Sequence, residues 1–165
     1  MNKTNILIAG LVFSGLLTLD GFAQGNSIAP GEIKSGQISS VAQTNFYTFA
    51  ASSNDVINVG LLRTDGSGAP YLTLYDPATN VLFESGPNGT LIFDEGRRLT
   101  KTGTYTIAVR STSGTFDYLL TLTKVACGVN SQEPADGPEA LTPGAFSGGQ
   151  ISFMDMDTYC FTGTS

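Results

Sequence analysis

Between residues 45 and 123 apolar and polar positions alternate in short runs. Asn45–Ala50 puts Tyr47 and Phe49 on one face, and Val56–Leu62 does the same for Ile57, Val59 and Leu61. Tyr71–Tyr75 sets Leu72 and Leu74 opposite Tyr71, Thr73 and Tyr75. Gly103–Arg110 aligns Tyr105, Ile107 and Val109, and Thr115–Thr123 aligns Phe116, Tyr118, Leu120 and Leu122. A period of two marks a strand with one face in a core, because successive side chains leave a strand on opposite sides. Gly31–Ile38 predicts an edge strand and Val81–Glu84 a short one. Leu91–Phe93 and Arg97–Leu99 flank a predicted break at Asp94-Glu95-Gly96. Turns are predicted where Gly, Pro, Asn and Asp cluster: Asp65-Gly66-Ser67-Gly68, Asp76–Asn80 and Ser85–Gly89. No helical period is sustained outside the N-terminal stretch. The fold class expected is all-β, a jelly-roll-like antiparallel β-sandwich of about eight strands, followed by a partial second unit.

That second unit shows as an echo. PGEIKSGQIS, Pro30–Ser39, is matched by PGAFSGGQIS, Pro143–Ser152, at the Pro, both Gly and the Gln-Ile-Ser. The offset of 113 residues becomes 112 further on, where Tyr47 and Phe49 match Tyr159 and Phe161. Residues 1–23 read as a secretory signal peptide. Lys3 gives the positive start, Ile6–Leu19 the apolar run, and Gly21-Phe22-Ala23 a cleavage site after Ala23. That run is shorter than the roughly 20 residues a membrane span needs. The organisation expected is a signal peptide over 1–23, a sandwich over 24–125, a Pro-, Ala- and acid-rich linker over 126–142, and the first strands of a second repeat over 143–165.

Charge and composition narrow the chemistry. The formal net charge is −6, and only 13% of residues are charged. No basic face is available to displace counterions from nucleic acid, and no polybasic patch for anionic lipid, so neither partner is expected. With no His in the chain, the commonest general base and metal ligand is missing. A Ser–Lys pair would have to use Lys34, Lys101 or Lys124, none in a supporting motif. Asp94-Glu95 reads as a solvated turn rather than a glycosidase pair. Asp155 and Asp157 share a face by alternation, yet offer two oxygen ligands' worth of side chain where Ca²⁺ wants six to eight oxygens. No catalytic residue, cofactor or metal site is therefore expected. Cys127 and Cys160 are the only cysteines. In an exported chain they are expected to form a disulfide, worth roughly 3–4 kcal/mol by loop closure. Tyr71 and Tyr75, on the face away from the core, are candidates for a polymer-binding platform; cross-strand pairing explains them equally.

Five pieces in order resemble the bacterial pre-peptidase C-terminal domain family: Gly36 and Ile38; Tyr47 and Phe49; Leu72, Leu74, Tyr75 and Asp76; Gly103, Tyr105, Ile107 and Val109; and Tyr118, Leu120 and Leu122. Glu133–Gly144 resembles the acidic, Pro-containing lead-in of such domains. The resemblance covers residues 28–124 as one unit and 133–165 as the start of another. It departs where the family's Asp before Tyr is Asn45, with Asp157 holding that place in the second copy. It departs again where acids often precede the Leu-Tyr-Asp strand and this chain has Pro70 and Tyr71. The resemblance implies a non-catalytic accessory module of exported enzymes, in a setting where related sandwiches hold collagen or polysaccharide. The expectation is thus a secreted or periplasmic module for adhesion, targeting or stabilisation, with an extracellular protein or polysaccharide as partner. The alternative is the N-terminal, non-catalytic part of a longer secreted enzyme, and a third reading is a small hydrolase.

Overall fold

The computed structural model describes residues 25–87 and 89–126, together with 140–142, 144, 146, 148 and 158–162. The signal-peptide stretch, most of the linker, Cys127, Asp155 and Asp157 lie outside the described residues. Nine strands occupy the first unit: β1 (Asn26–Ser27), β2 (Glu32–Ile38), β3 (Thr44–Ala51), β4 (Val56–Gly66), β5 (Pro70–Tyr75), β6 (Val81–Ser85), β7 (Leu91–Arg98), β8 (Gly103–Ser111) and β9 (Phe116–Lys124). Two short strands follow, β10 (Ala140–Leu141) and β11 (Cys160–Phe161). Among the described residues no helix is long and apolar enough to cross a membrane.

The nine strands form two sheets, one ordered β1-β3-β8-β5-β6 and the other β2-β9-β4-β7. All pairings within them are antiparallel except β1 with β3. The alternating apolar sets meet between the sheets. Tyr47, Phe49, Leu72, Leu74, Tyr105, Ile107 and Val109 come from one side, and Ile38, Ile57, Val59, Leu61, Ile92, Phe116, Tyr118, Leu120 and Leu122 from the other, all buried. Each such side chain contributes roughly 1.5–3 kcal/mol by leaving water. This is the two-layer solution for sheets that are apolar on one face.

Three sequence expectations change. Asn26–Ser27 is a strand, too short for alternation to reveal, which pairs parallel to β3 and brings Ile28 into the core. Asp65 and Gly66 belong to β4, whose register to β9 slips between Arg63 and Asp65, so the predicted turn starts two residues later. The break at Asp94-Glu95-Gly96 is a bulge inside one continuous strand, β7. Ile57 pairs with Arg97 and Val59 with Asp94, so Asn58 faces two residues, Glu95 and Gly96, one of them extra. Its Oδ1 accepts from the Gly96 N–H at 2.7 Å, and its Nδ2 donates to Thr123 Oγ1 of β9 at 3.1 Å. Asp94 is not in a solvated turn: it is 6% exposed and forms a two-pronged ion pair with Arg97, Nη2 to Oδ1 at 2.8 Å. The Arg97 guanidinium also lies over the Phe83 ring, 5.6 Å from its centre, which ties the edge strands β6 and β7 together.

The repeated stretch has a structural task of its own. The Tyr47 and Tyr118 hydroxyls meet at 2.8 Å between the sheets, and Asn45 Nδ2 donates to Tyr118 Oη at 2.7 Å and to the Gln37 carbonyl at 2.9 Å. Gln43 donates to Asn45 Oδ1 at 2.8 Å and accepts from the Ser39 N–H at 2.8 Å. Burial of the Tyr118 hydroxyl, and then its bond to Tyr47, raise its pKa well above the ordinary tyrosine range, so it stays a neutral partner. Gly36 lies against the Tyr118 ring: a Cβ there would fall within 2.9 Å of ring carbon Cε2.

Candidate functional site

The residues that sequence reasoning offered for chemistry are dispersed. Lys34 pairs with Glu32, Lys101 Nζ with Asp76 Oδ2 at 2.5 Å, and Lys124 Nζ with Asp55 Oδ2 at 2.9 Å. Each candidate lysine therefore faces a carboxylate, not a serine hydroxyl. Asp76 also accepts from the Ala78 and Asn80 N–H groups at 2.7 and 2.9 Å, an Asx-type closure of the β5–β6 turn. Lys101, and then the Asn80 amide, hold its carboxyl far below the usual carboxylate range. Asp94 is committed to Arg97, which separates it chemically from Glu95. Among the described residues no three His, Cys, Asp or Glu side chains gather as a metal would need.

The outward face of the β1-β3-β8-β5-β6 sheet is where polar and aromatic groups converge. The registers lay out three rows across it. Thr44, Arg110 and Tyr71 stand side by side; then Phe46, Ala108, Thr73 and Glu84; then Thr48, Thr106 and Tyr75. Thr73, Thr106 and Ala108 are buried in the middle of this face, and Tyr71 and Tyr75 are half-buried beside them. Both rings lie on the outward face, as alternation predicts, but neither is fully exposed.

Tyr71 is fixed from three sides. The Arg110 guanidinium stacks on its ring, 3.8 Å from the centre, in the geometry where the ring's negative face attracts a cation. Arg110 Nη2 in turn stands 3.8 Å from Glu84 Oε1. Gly86, at φ +154°, leaves room for the ring: a Cβ there would meet Tyr71 Cγ at 2.9 Å. Lost hydration, and then the hydrogen bond to Glu84, push the Tyr71 hydroxyl above its ordinary pKa, so it can donate and accept at neutral pH. The arrangement gathers an aromatic ring, a guanidinium and a carboxylate within one outward patch. Sequence alternation singled out Tyr71 and Tyr75. It missed Arg110 and Glu84, which lie on other strands and join the patch only through the β5–β8 and β5–β6 registers.

The opposite outer face, on the β2-β9-β4-β7 sheet, differs in kind. Ile33, Leu91 and Phe93 are exposed there, with Leu62 and Leu119 half-buried between them. It is an apolar stripe of aliphatic side chains with one aromatic, Phe93.

No family model matches the chain, and no curated protein matches it. Among solved structures the chain is similar to the pre-peptidase C-terminal domain of collagenase from Bacillus anthracis, at 23% identity and a TM-score of 0.52, over 61% of this chain and 95% of that one. It is also similar to the periplasmic g-type lysozyme inhibitor PliG of Aeromonas hydrophila, at 18% identity and a TM-score of 0.45, over 62% and 90%. The first of these shows that the chain has the fold of a pre-peptidase C-terminal domain, as the ordered motifs implied.

Proposed function

We propose that the chain is an exported, non-catalytic β-sandwich module that holds an extracellular polymer, protein or polysaccharide, on the Tyr71–Arg110–Glu84 face. The observation that carries this reading is the Arg110 guanidinium stacked at 3.8 Å on Tyr71 beside Glu84. A repeating polymer offers flat apolar faces flanked by hydroxyl or amide groups. A neutral tyrosine, a guanidinium and a carboxylate on a flat sheet match that mixture, whereas the aliphatic stripe opposite matches only its apolar part. The solved structure with this fold comes from a collagenase, which makes collagen one of the polymers to try. The mature protein is expected to sediment with at least one of insoluble collagen, chitin and cellulose. Tyr71→Ala and Arg110→Ala, each folded by circular dichroism, are expected to weaken retention about five- to tenfold, the scale of one stacking and one charged contact. Retention unchanged in both variants would sink the reading, as would no retention on any of the three.

Export rests on the signal-peptide pattern of residues 1–23, and a secreted or periplasmic setting follows from it. The same module placed at the N-terminal end of a longer secreted enzyme is the second reading, favoured by the collagenase origin of the similar fold. In that oxidising setting Cys127 and Cys160 pair. Thiol titration of the unreduced mature protein is expected to find no free thiol; two per chain would refute the bond.

A further inference from the structure

We propose that β10 and β11 are the first pair of a second sandwich, and that the open edge of β11 takes an antiparallel strand with the chemistry of β8. This pairing does not depend on the polymer-binding face. In the first unit β1 and β3 pair in parallel with Ser27 opposite Thr48. Carried along the sequence echo, whose offsets are 113 residues before the inserted position and 112 after it, Ser27 falls on Ala140 and Thr48 on Cys160. Ala140 and Cys160 are the residues paired, again in parallel. The next pair, Leu141 with Phe161, falls on Ile28 and Phe49. The same parallel register at the positions the echo aligns marks the same supersecondary unit.

β3 has β1 on one edge and β8 on the other; among the described residues β11 has β10 alone. Phe49 is 4% exposed because its ring stacks on Tyr105 of β8, centre to centre 5.5 Å. Phe161, at the equivalent place, is 77% exposed. The sequence repeats the residue types too: Gly149, Asp157 and Tyr159 align with Gly36, Asn45 and Tyr47. The pair is also anchored: Thr158 Oγ1 donates to the Ala126 carbonyl at 3.2 Å, just past the end of β9.

The occupant is a polypeptide segment of alternating Tyr, Ile and Val outside the first sandwich, adding by main-chain hydrogen bonds and one apolar face. A second copy's β8 does not qualify. It is the central strand of its sheet, paired on both edges, with Tyr105, Ile107 and Val109 in the core.

The test uses the mature chain and a fluorescein-labelled peptide of the β8 sequence, GTYTIAVRS. Saturable binding is expected, with new amide protection at Cys160 and Phe161. Phe161→Asp is expected to weaken binding about tenfold or more, since it puts a charge where the bound strand would cover a ring, while leaving the first sandwich's melting unchanged. A peptide with Ser at the Tyr, Ile and Val positions should not bind. No binding, or equal binding to wild type and Phe161→Asp, overturns the proposal; the second outcome would place the peptide on the first sandwich instead.

Discussion

At the scale of single residues, Asp76 shows how one side chain closes a turn and reports on pH. Its carboxylate gathers Lys101, two backbone N–H groups and the Asn80 amide. Its native pKa is depressed, by Lys101 first and then Asn80. The native state therefore holds the charged form more tightly than the unfolded chain does. The stabilisation is whole above the unfolded value of about 3.9, shrinks as the pH falls below it, and is gone under the native value. Asp76→Asn, which keeps the shape and removes the charge, is expected to lower the melting temperature at pH 7. The gap to wild type should narrow steadily between about pH 4 and pH 2. A gap that does not change with pH would show that the carboxylate's charge is not what closes the turn. From the sequence, Asp76-Pro77-Ala78-Thr79-Asn80 was legible as a turn, because Asx chemistry is local. Lys101 was not, because it arrives from 25 residues away.

At the scale of elements, what was legible followed alternation. The inward sets of β3, β4, β5, β8 and β9 are the ones their spacing announces, since a strand with one face in a core can hardly be written otherwise. What was illegible is β7. Asp-Glu-Gly reads as a stop, yet the strand continues through it because Asn58 on β4 supplies the partner for the Gly96 N–H and Arg97 answers the Asp94 charge. Both compensations are cross-strand or within the bulge, invisible to a window of sequence. Asp94→Ala removes a buried carboxylate and leaves the half-buried Arg97 without that partner. It is expected to destabilise by roughly 1–3 kcal/mol, below the full cost of breaking a deeply buried pair because the Arg97 side chain is 30% exposed. Urea unfolding at pH 7 measures it, and a loss within a few tenths of a kcal/mol would mean the pair does not hold the bulge. The candidate site divides the same way. Its tyrosines were legible by face, but its charges depend on registers that only the assembled sheet sets.

At the scale of the whole molecule, the two outer faces give the sandwich two characters, one polar and aromatic, the other aliphatic, while the interior is shared. The repeat seen in the sequence gained a meaning that identity alone did not carry. Gly36, Tyr47 and Asn45 meet Tyr118 across the interior, and the echo repeats the glycine and the tyrosine and puts Asp157 at the third place.

The pairing of β2 with β9 sets an order of events in time. Glu32 pairs with Leu122 and Ile38 with Phe116, so the first long strand of the unit waits for its last. Contacts that distant in sequence make folding slow, because the loop between them must close before any of them is rewarded. A chain emerging N-terminus first cannot complete this sheet until residue 124 is free. The topology thus acts as a delay between the making of the first long strand and the closing of its sheet.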